Sequence, residues 1–126
     1  MIETPEAFVR LRTSQDPAEY GRAAHDEAPI EVWMAVIAGW PDMREWVAHN
    51  KTVPLEVLRV LAADPGCRVR RAVAVKRKLD RDLFERLAGD PDEGVLRALA
   101  HNAKVPADIR AVVAARLGEL AGARLD

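Results

Sequence analysis

The three histidines of the chain stand in three similar stretches of sequence. The stretches "AAHDEAP", "VAHNKTVP" and "LAHNAKVP" contain His25, His49 and His101 respectively. Histidines from separate parts of a chain form a zinc site when their ring nitrogens converge within about 2 Å of one ion. They can instead mark one structural position that recurs along the chain. The elements that carry the stretches decide between these two interpretations.

The sequence repeats itself at a spacing of 25 to 26 residues. A shift of 26 places aligns the segment that begins at Asp64 with the segment that begins at Asp90. The same shift backwards superposes residues 43–63 on both, and a 25-place shift lays residues 29–38 over residues 54–63. Such periods are typical of stacked structural units. These alignments divide the chain into four units, at residues 16–38, 39–63, 64–89 and 90–117.

Each unit contains two short stretches in which apolar residues have helical spacing. In the third unit, for example, the second stretch places apolar side chains at Leu83, Phe84, Leu87 and Ala88, which form one stripe of a helix. No stretch alternates with period two, so we expect no strands. One unit of this length cannot bury its own apolar stripe, whereas stacked neighbours can. The sequence therefore predicts an all-α fold, a short α-solenoid of four two-helix repeats.

Proline and aspartate predict where the helices begin. The residues Pro29, Pro54 and Pro106 open three of the second helices, where a missing N–H group costs nothing. Asp-Pro pairs at Asp16, Asp64 and Asp90 predict the turn that enters each first helix.

The whole chain, residues 1–126, is predicted to be a single helical-repeat domain. Residues 1–15 form an N-terminal cap, with a helix over 4–12 that uses Phe8, Val9 and Leu11. Residues 16–117 hold the four repeats, and 118–126 form a C-terminal cap or tail.

The repeats resemble the leucine-rich repeat variant proteins within the broader HEAT-like group. The shared pattern is Asp-Pro, Val-Arg, Ala-x-Asn, Pro and a leucine-bearing helix. It is met in the third unit by Asp64, Pro65, Val69, Arg70, Ala74, Leu83 and Leu87. It is met in the fourth unit by Asp90, Pro91, Val95, Ala100, Asn102, Pro106, Ile109 and Val113. In the third unit Lys76 replaces the asparagine and Asp80 replaces the proline. The resemblance implies a right-handed superhelix and the binding of other macromolecules.

Composition and charge exclude several classes of protein. The chain has 126 residues, of which 49% are apolar and 31% are charged, and these fractions are typical of one folded domain. Cys67 is the single cysteine, which excludes an internal disulfide and any multi-thiolate metal site within this chain. The N-terminal residues contain no apolar run long enough for a signal-peptide core or a membrane span. We therefore expect a cytoplasmic protein that does not contact membranes.

The polar residues that recur in the repeats are better explained by structure than by catalysis. Adjacent solenoid units lie about 10 Å apart, so His49 and His101, two units apart, cannot share an ion. Each histidine is expected at the end of a first helix, with Asn50 or Asn102 in the break that follows. An asparagine there can adopt the left-handed conformation or bond the next helix's free N–H groups. We expect no catalytic residue, no metal and no cofactor, and therefore no enzyme.

The most distinctive local chemistry is the basic stretch "CRVRRAVAVKRKLDR", in which residues 68–81 carry seven bases and one acid. The average charge is close to neutral, with a net charge of −1 and a pI of about 6.3. Basic residues at aligned breaks in neighbouring units predict a positive strip along one edge of the solenoid. The candidate partner-binding residues are Arg70, Arg71, Lys76, Arg77, Lys78, Lys51 and Lys104. Solvated charge with local ion pairs is the alternative interpretation.

Three tryptophans fall close together in the first two repeats. Trp33 and Trp46 align with apolar core positions and are predicted to be buried. Trp40 lies in the turn "GWPD", where an exposed aromatic side chain is a further candidate for contact with a partner.

The sequence thus predicts a non-enzymatic helical-repeat protein that binds another protein through its concave face or basic edge. Nucleic-acid backbone binding through the basic edge is one alternative. An immunity or antitoxin-like inhibitor of a bacterial toxin is another, and it is a special case of protein binding.

Overall fold

The computed structural model describes residues 1–125. These residues form nine α-helices and one short 3₁₀-helix, with no strand among them, so the predicted all-α class is confirmed. None of the described helices is both long enough and apolar enough to cross a membrane. The helices are α1 (Pro5–Thr13), α2 (Pro17–His25), α3 (Ile30–Gly39), the 3₁₀-helix Pro41–Met43, α4 (Arg44–His49), α5 (Leu55–Ala62), α6 (Cys67–Ala74), α7 (Arg81–Ala88), α8 (Glu93–His101) and α9 (Ala107–Leu125).

The two ends of the chain differ in how well their helices were predicted. Helix α1 lies within one residue of the helix expected at 4–12. Helix α9 continues to residue 125, through nearly all of the segment predicted as a cap or tail, and residue 126 lies outside the described residues. Alanine, leucine, glutamate and arginine are strong helix formers, and no proline interrupts them. Arg124 also donates two hydrogen bonds to Glu93 of α8, which tie the end of α9 to the preceding helix.

Each Asp-Pro pair lies at or before the start of a first helix. Asp16 caps α2 because its carboxylate accepts a hydrogen bond from the N–H of Ala18. Asp64 and Asp90 also accept the N–H two residues ahead, but each forms an Asx turn that precedes the helix. In the fourth repeat the helix cap itself is Asp92, which accepts from Val95. The pairs therefore mark the entry to the first helices, as predicted, although only one of them is a cap.

The chain divides into two compact units, Met1–Leu61 and Ala62–Asp126, which we call the N-terminal and C-terminal units. In the N-terminal unit α1 packs against α2 and α3, and α4 packs against the same two helices. Its core is built on Trp33, which is fully buried and meets the ring of Phe8 edge to face, with ring centroids 5.2 Å apart. The backbone N–H of Ile2 donates to the carbonyl of Glu27, so the residues before α1 are also held in place.

In the C-terminal unit α8 packs against α6, α7 and α9. The residues with the predicted helical spacing supply most of the buried apolar side chains, and the large ones among them include Leu83, Phe84, Leu87 and Leu99. Leu96, outside that spacing, is buried as well. Ile109 and Val113 of α9 are buried as expected, whereas Ala114, predicted on the same stripe, is exposed. The apolar stripe of this last helix is therefore narrower than the sequence predicts.

An asparagine in each unit joins one first helix to the first helix of the preceding repeat. The side-chain amide of Asn50 donates to the carbonyl oxygens of Ala23 and Asp26, at 2.8 and 3.0 Å. In the C-terminal unit Asn102 donates in the same way to Ala74 and Lys76, at 2.9 and 2.8 Å. Both asparagines are buried. The last carbonyl groups of a helix have no hydrogen-bond donor inside that helix. The two asparagines therefore supply donors to such carbonyl groups.

This arrangement differs from the one that the sequence suggests for these residues. The backbones of Asn50 and Asn102 are extended, with φ of −61° and −82°, rather than left-handed. Each Oδ1 accepts a backbone N–H two residues ahead, from Thr52 or Lys104. The side-chain oxygens of the asparagines thus fix the backbone between the two helices of their own repeat, while their amide nitrogens bind carbonyl groups of the preceding repeat. Residue spacing within one repeat does not predict this second contact.

The core of the C-terminal unit predicts a clear difference between Leu87 and His101. Leu87→Ala is expected to lower the free energy of unfolding by about 2–5 kcal/mol, because it leaves a cavity in a fully buried site. His101→Ala, at an exposed site, should change it by less than about 0.5 kcal/mol. Urea unfolding followed by circular dichroism measures both. Equal losses at the two sites would show that the helical register is wrong.

The inter-repeat asparagine predicts a second stability effect. Asn102→Ala should cost about 1–3 kcal/mol, because it leaves buried carbonyl groups and the N–H of Lys104 without their partners. Lys104→Ala is the matched control, since it keeps the backbone N–H and alters only an exposed side chain. A control that is as destabilised as Asn102→Ala, in the same urea titration, contradicts the assignment.

Candidate functional site

A cavity of about 360 Å³ opens on the surface of the N-terminal unit. Its lining comes from three helices: Arg12 from α1; Tyr20, Ala23 and Ala24 from α2; and Trp46 and His49 from α4. We call it the aromatic cavity. The small side chains of Ala23 and Ala24 leave space that larger side chains would fill. Arg12, Tyr20, Trp46 and His49 surround this space.

Trp46 contacts two other side chains of the aromatic cavity. The guanidinium carbon of Arg12 lies 3.6 Å from the centroid of the Trp46 ring, a cation–π contact. On the same helix the His49 ring lies 5.5 Å from the Trp46 ring at an angle of 44°. The Nε2 atom of His49 is 3.8 Å from Oε1 of Glu45, one helical turn earlier. Ring contacts of Trp46 with Arg12 and His49 therefore hold part of the cavity wall.

The position of Trp46 differs from the prediction. Trp46 was predicted to lie in the core, but it is half-buried and lines the aromatic cavity. Helix α4 has only six residues, and its fully buried positions are the adjacent Val47 and Ala48. Trp46 therefore lies at the border of the buried face. Trp33, in contrast, is in the core as predicted.

A second cavity, of about 460 Å³, lies against α6 and α8 in the C-terminal unit. We call it the charged cavity, and its lining is Arg71, Val75, Glu93, Gly94, Arg97, Ala98 and His101. Arg71 lies flat against the backbone of Gly94, where an added Cβ atom would collide with its guanidinium. Glycine at this position is thus what allows Arg71 to approach α8.

The acid of the charged cavity is held in its ionised form. Glu93 accepts hydrogen bonds from Arg124, at 2.6 and 3.0 Å, and from Arg97 at 3.1 Å. These bonds, that of Arg124 foremost, lower the pKa of the Glu93 carboxyl. The charged cavity therefore contains an acid that is paired with arginines, whereas the lining of the aromatic cavity contains no acid.

The two cavities share a register in the sequence repeat. Trp46 and His49 of the second repeat align with Ala98 and His101 of the fourth, and each pair lines a cavity on its own first helix. The histidines end α2, α4 and α8, as the sequence predicted, and all three are exposed. Within residues 1–125 no group of three or more histidine, cysteine, aspartate or glutamate side chains lies together as a metal site would require.

Arg70, one of the predicted partner-binding residues, is committed to contacts inside the C-terminal unit. Its Nε and Nη2 atoms donate to both carboxylate oxygens of Asp90, at 2.7 and 3.3 Å, and its Nη1 atom donates to the carbonyls of Asp64 and Pro65. The side chains of Arg70 and Asp90 are only 15% and 6% exposed. The bonds to Asp90 raise the pKa of Arg70. These contacts indicate that Arg70 stabilises the fold, because its N–H donors bind groups of the same unit.

The other predicted basic residues occupy different places. Arg71 lines the charged cavity, 3.9 Å from a carboxylate oxygen of Asp92. The loop between α6 and α7 carries Lys76, half-buried, and the exposed Arg77 and Lys78. Lys78 is exposed as a residue, but partial desolvation of its amino group lowers its pKa. Lys51 and Lys104 are exposed in the corresponding loops of their own repeats. Of the seven basic candidates, only Arg71 lies in a cavity.

Trp40 and Cys67 lie in neither cavity. Trp40 is half-buried between the end of α3 and the start of the 3₁₀-helix, and Cys67 is half-buried at the start of α6. A role for Trp40 in binding stays a prediction.

Arg12 and Tyr20 line the aromatic cavity but were not among the residues predicted from the sequence. Both lie in the degenerate N-terminal part of the chain, where no repeat partner marks them. The one signal was the unusual density of aromatic residues, since Tyr20 is the only tyrosine and it shares residues 20–46 with all three tryptophans.

Comparisons with protein-family models, with curated proteins and with solved structures found no match for this chain. The resemblance to leucine-rich repeat variants therefore stays a prediction from the repeat pattern.

The contrast between Arg70 and Arg71 can be tested by substitution. Arg70→Ala should lower the free energy of unfolding by about 3–5 kcal/mol, because it leaves the buried carboxylate of Asp90 without its cation. Arg71→Ala, at a half-exposed site with one long ion pair, should cost less than about 1 kcal/mol. Urea unfolding at neutral pH compares the two neighbours. A larger loss for Arg71→Ala than for Arg70→Ala would contradict these roles.

Proposed function

We propose that the protein is a non-enzymatic helical-repeat protein that binds another protein through the face formed by the first helices of its repeats. The four repeats over residues 16–117 would stack as a short right-handed α-solenoid of the leucine-rich repeat variant or HEAT-like kind. The observed alternation of first and second helices along this range supports that architecture. Stacked helices generate an extended surface that suits contact with a macromolecule.

The observation that carries this proposal is the shared register of the two cavities. Each lies on a first helix that ends in a histidine, and each is open to solvent in its own unit. In the aromatic cavity the exposed groups are of the residue types that dominate the binding energy of protein interfaces, namely arginine, tyrosine and tryptophan. Tyr20 in particular leaves 43% of its surface exposed.

The proposal that the protein is not an enzyme depends on the sequence and on the cavity linings. The sequence contains none of the common nucleophile, phosphate-loop or zinc-protease motifs. Neither lining includes a serine, threonine or cysteine that a histidine could activate. Arginine and histidine in these cavities are suited to recognition of an anionic or polar group.

Nucleic-acid backbone binding is the second candidate function. Arg71, Arg77 and Lys78 are exposed on the C-terminal unit and favour it, since phosphate contacts use such side chains. Arg70 does not favour it, because its guanidinium is hydrogen-bonded to Asp90 and to the carbonyl of Asp64 instead of lying free on the predicted basic edge. An immunity or antitoxin-like inhibitor remains a special case of protein binding.

The proposed face predicts which substitutions abolish binding. Immobilised wild-type protein should capture a partner from an extract of the native cells, and Tyr20→Glu should weaken binding of the purified partner by about tenfold or more in calorimetry. Val112→Glu is the matched control, because Val112 is similarly exposed, at 51%, on the second helix of the last repeat. Equal affinity of the two variants would contradict the proposed face.

Nucleic-acid binding is tested in parallel by fluorescence anisotropy with duplex DNA and RNA at about 50 mM salt. Under the main proposal we expect no binding. Binding that weakens steeply with salt, and that is lost when Arg71, Arg77 and Lys78 are replaced together by alanine, would establish the second candidate instead.

A further inference from the structure

The aromatic cavity contains a cation that the described residues leave without an acid. On the same pair of helices, Arg10 donates to Glu19 at 2.6 Å and Arg22 donates to Asp26 at 2.8 Å. The side chain of Arg12, in contrast, makes no ion pair or hydrogen bond within the part of the chain that the structure describes. Its guanidinium lies against the face of the Trp46 ring.

This contact positions the guanidinium and leaves its donors available. A guanidinium stacked on an aromatic ring uses one face of its plane, while its N–H groups point outward around the edge. Two of those N–H groups match the two oxygens of a carboxylate. Trp46 therefore pre-orients Arg12, which reduces the side-chain entropy that binding an anion would otherwise cost.

The remainder of the lining is suited to an apolar group. Ala23 and Ala24 present methyl groups, and Tyr20 and Trp46 present rings. The volume of about 360 Å³ lies near the lower end of the range of ligand sites, so it accommodates one large side chain or a small fragment. No acid lines the cavity, and the carboxylate of the adjacent Glu45 lies near His49. The guanidinium of Arg12 is therefore the charged group in the lining that an anion would meet.

We propose that the aromatic cavity anchors a partner protein through a carboxylate side chain that binds Arg12 and a neighbouring aromatic side chain that fills the apolar part. The partner is then a protein with an acidic and aromatic segment at its surface. This inference rests on the proposed function, because it names the chemistry of the same binding face.

Blocked dipeptides test this chemistry directly. The probes are acetyl-Glu-Phe-amide and acetyl-Phe-Glu-amide, each paired with a neutral counterpart in which glutamine replaces glutamate. Binding to the full-length chain is followed by ¹H–¹⁵N NMR of the tryptophan indole groups, with Trp46→Phe used to assign the Trp46 signal. Trp33 and Trp40 supply internal reference signals.

An acidic probe should shift the Trp46 indole signal saturably, with a dissociation constant on the order of 1 mM. Its neutral counterpart should bind about five- to tenfold more weakly. Arg12→Gln should remove this preference for the acid. Arg10→Gln, which deletes the same charge from the same helix outside the cavity, should retain it.

Three results overturn the inference: equal binding of the acidic and neutral probes, no shift of the Trp46 signal at about 20 mM acidic probe, or an unchanged preference in Arg12→Gln. The outcome is separable from that of the proposed function. If capture of a partner depends on Tyr20 but the probes fail, the anchor chemistry alone is wrong. If the probes bind but no protein partner is captured, the proposed function is wrong and the occupant is a small carboxylate.

Discussion

The carbonyl groups at the end of a short helix need hydrogen-bond donors, and within each unit this need connects one repeat to the next. Helices of six to nine residues leave a large share of their backbone groups without partners inside the helix. In the N-terminal unit Asn50 supplies donors to the end of α2, and the backbone N–H of Lys51 supplies another to Ala24. In the C-terminal unit Asn102 does the same for the end of α6. The polar groups that a helix end would expose are thereby used to hold neighbouring first helices together.

The cavities follow from this connection. Since the asparagine amide reaches the end of the preceding first helix, the residues just before it must lie beside that helix. The histidine directly before each asparagine is thus brought to the border between α4 and α2, or between α8 and α6. Trp46 and Ala98, each three residues before the histidine of its helix, line the cavities between the same pairs of helices. A structural bond inside the fold therefore sets the position of the side chains that line each cavity.

Much of the fold could be predicted from the sequence because helical periodicity and helix-start residues are local signals. The ends of the first helices at His25, His49 and His101 were predicted for this reason. The prolines predicted to open three second helices lie one residue before α3, α5 and α9. Contacts between repeats were not, because spacing inside a repeat does not indicate which carbonyl a side chain will reach. Arg70 and Arg71 illustrate this limit of sequence-based prediction, because both adjacent arginines were predicted to bind a partner. Only the folded chain brings Asp90, twenty residues later, to Arg70 and leaves Arg71 at the surface.

The candidate site was less predictable than the fold because it depends on departures from the repeat. Trp46 follows the apolar pattern, yet on a six-residue helix its large ring extends beyond the buried face and reaches Arg12. At the aligned position of the fourth repeat Ala98 is too small to do so, and the neighbouring space is taken by Arg71, which the absence of a side chain at Gly94 admits. Aligned first helices thus carry an aromatic cavity with an unpaired cation in one unit and a cavity of paired charges in the other. Because the two cavities differ in charge and in apolar surface, each is suited to a different chemical group.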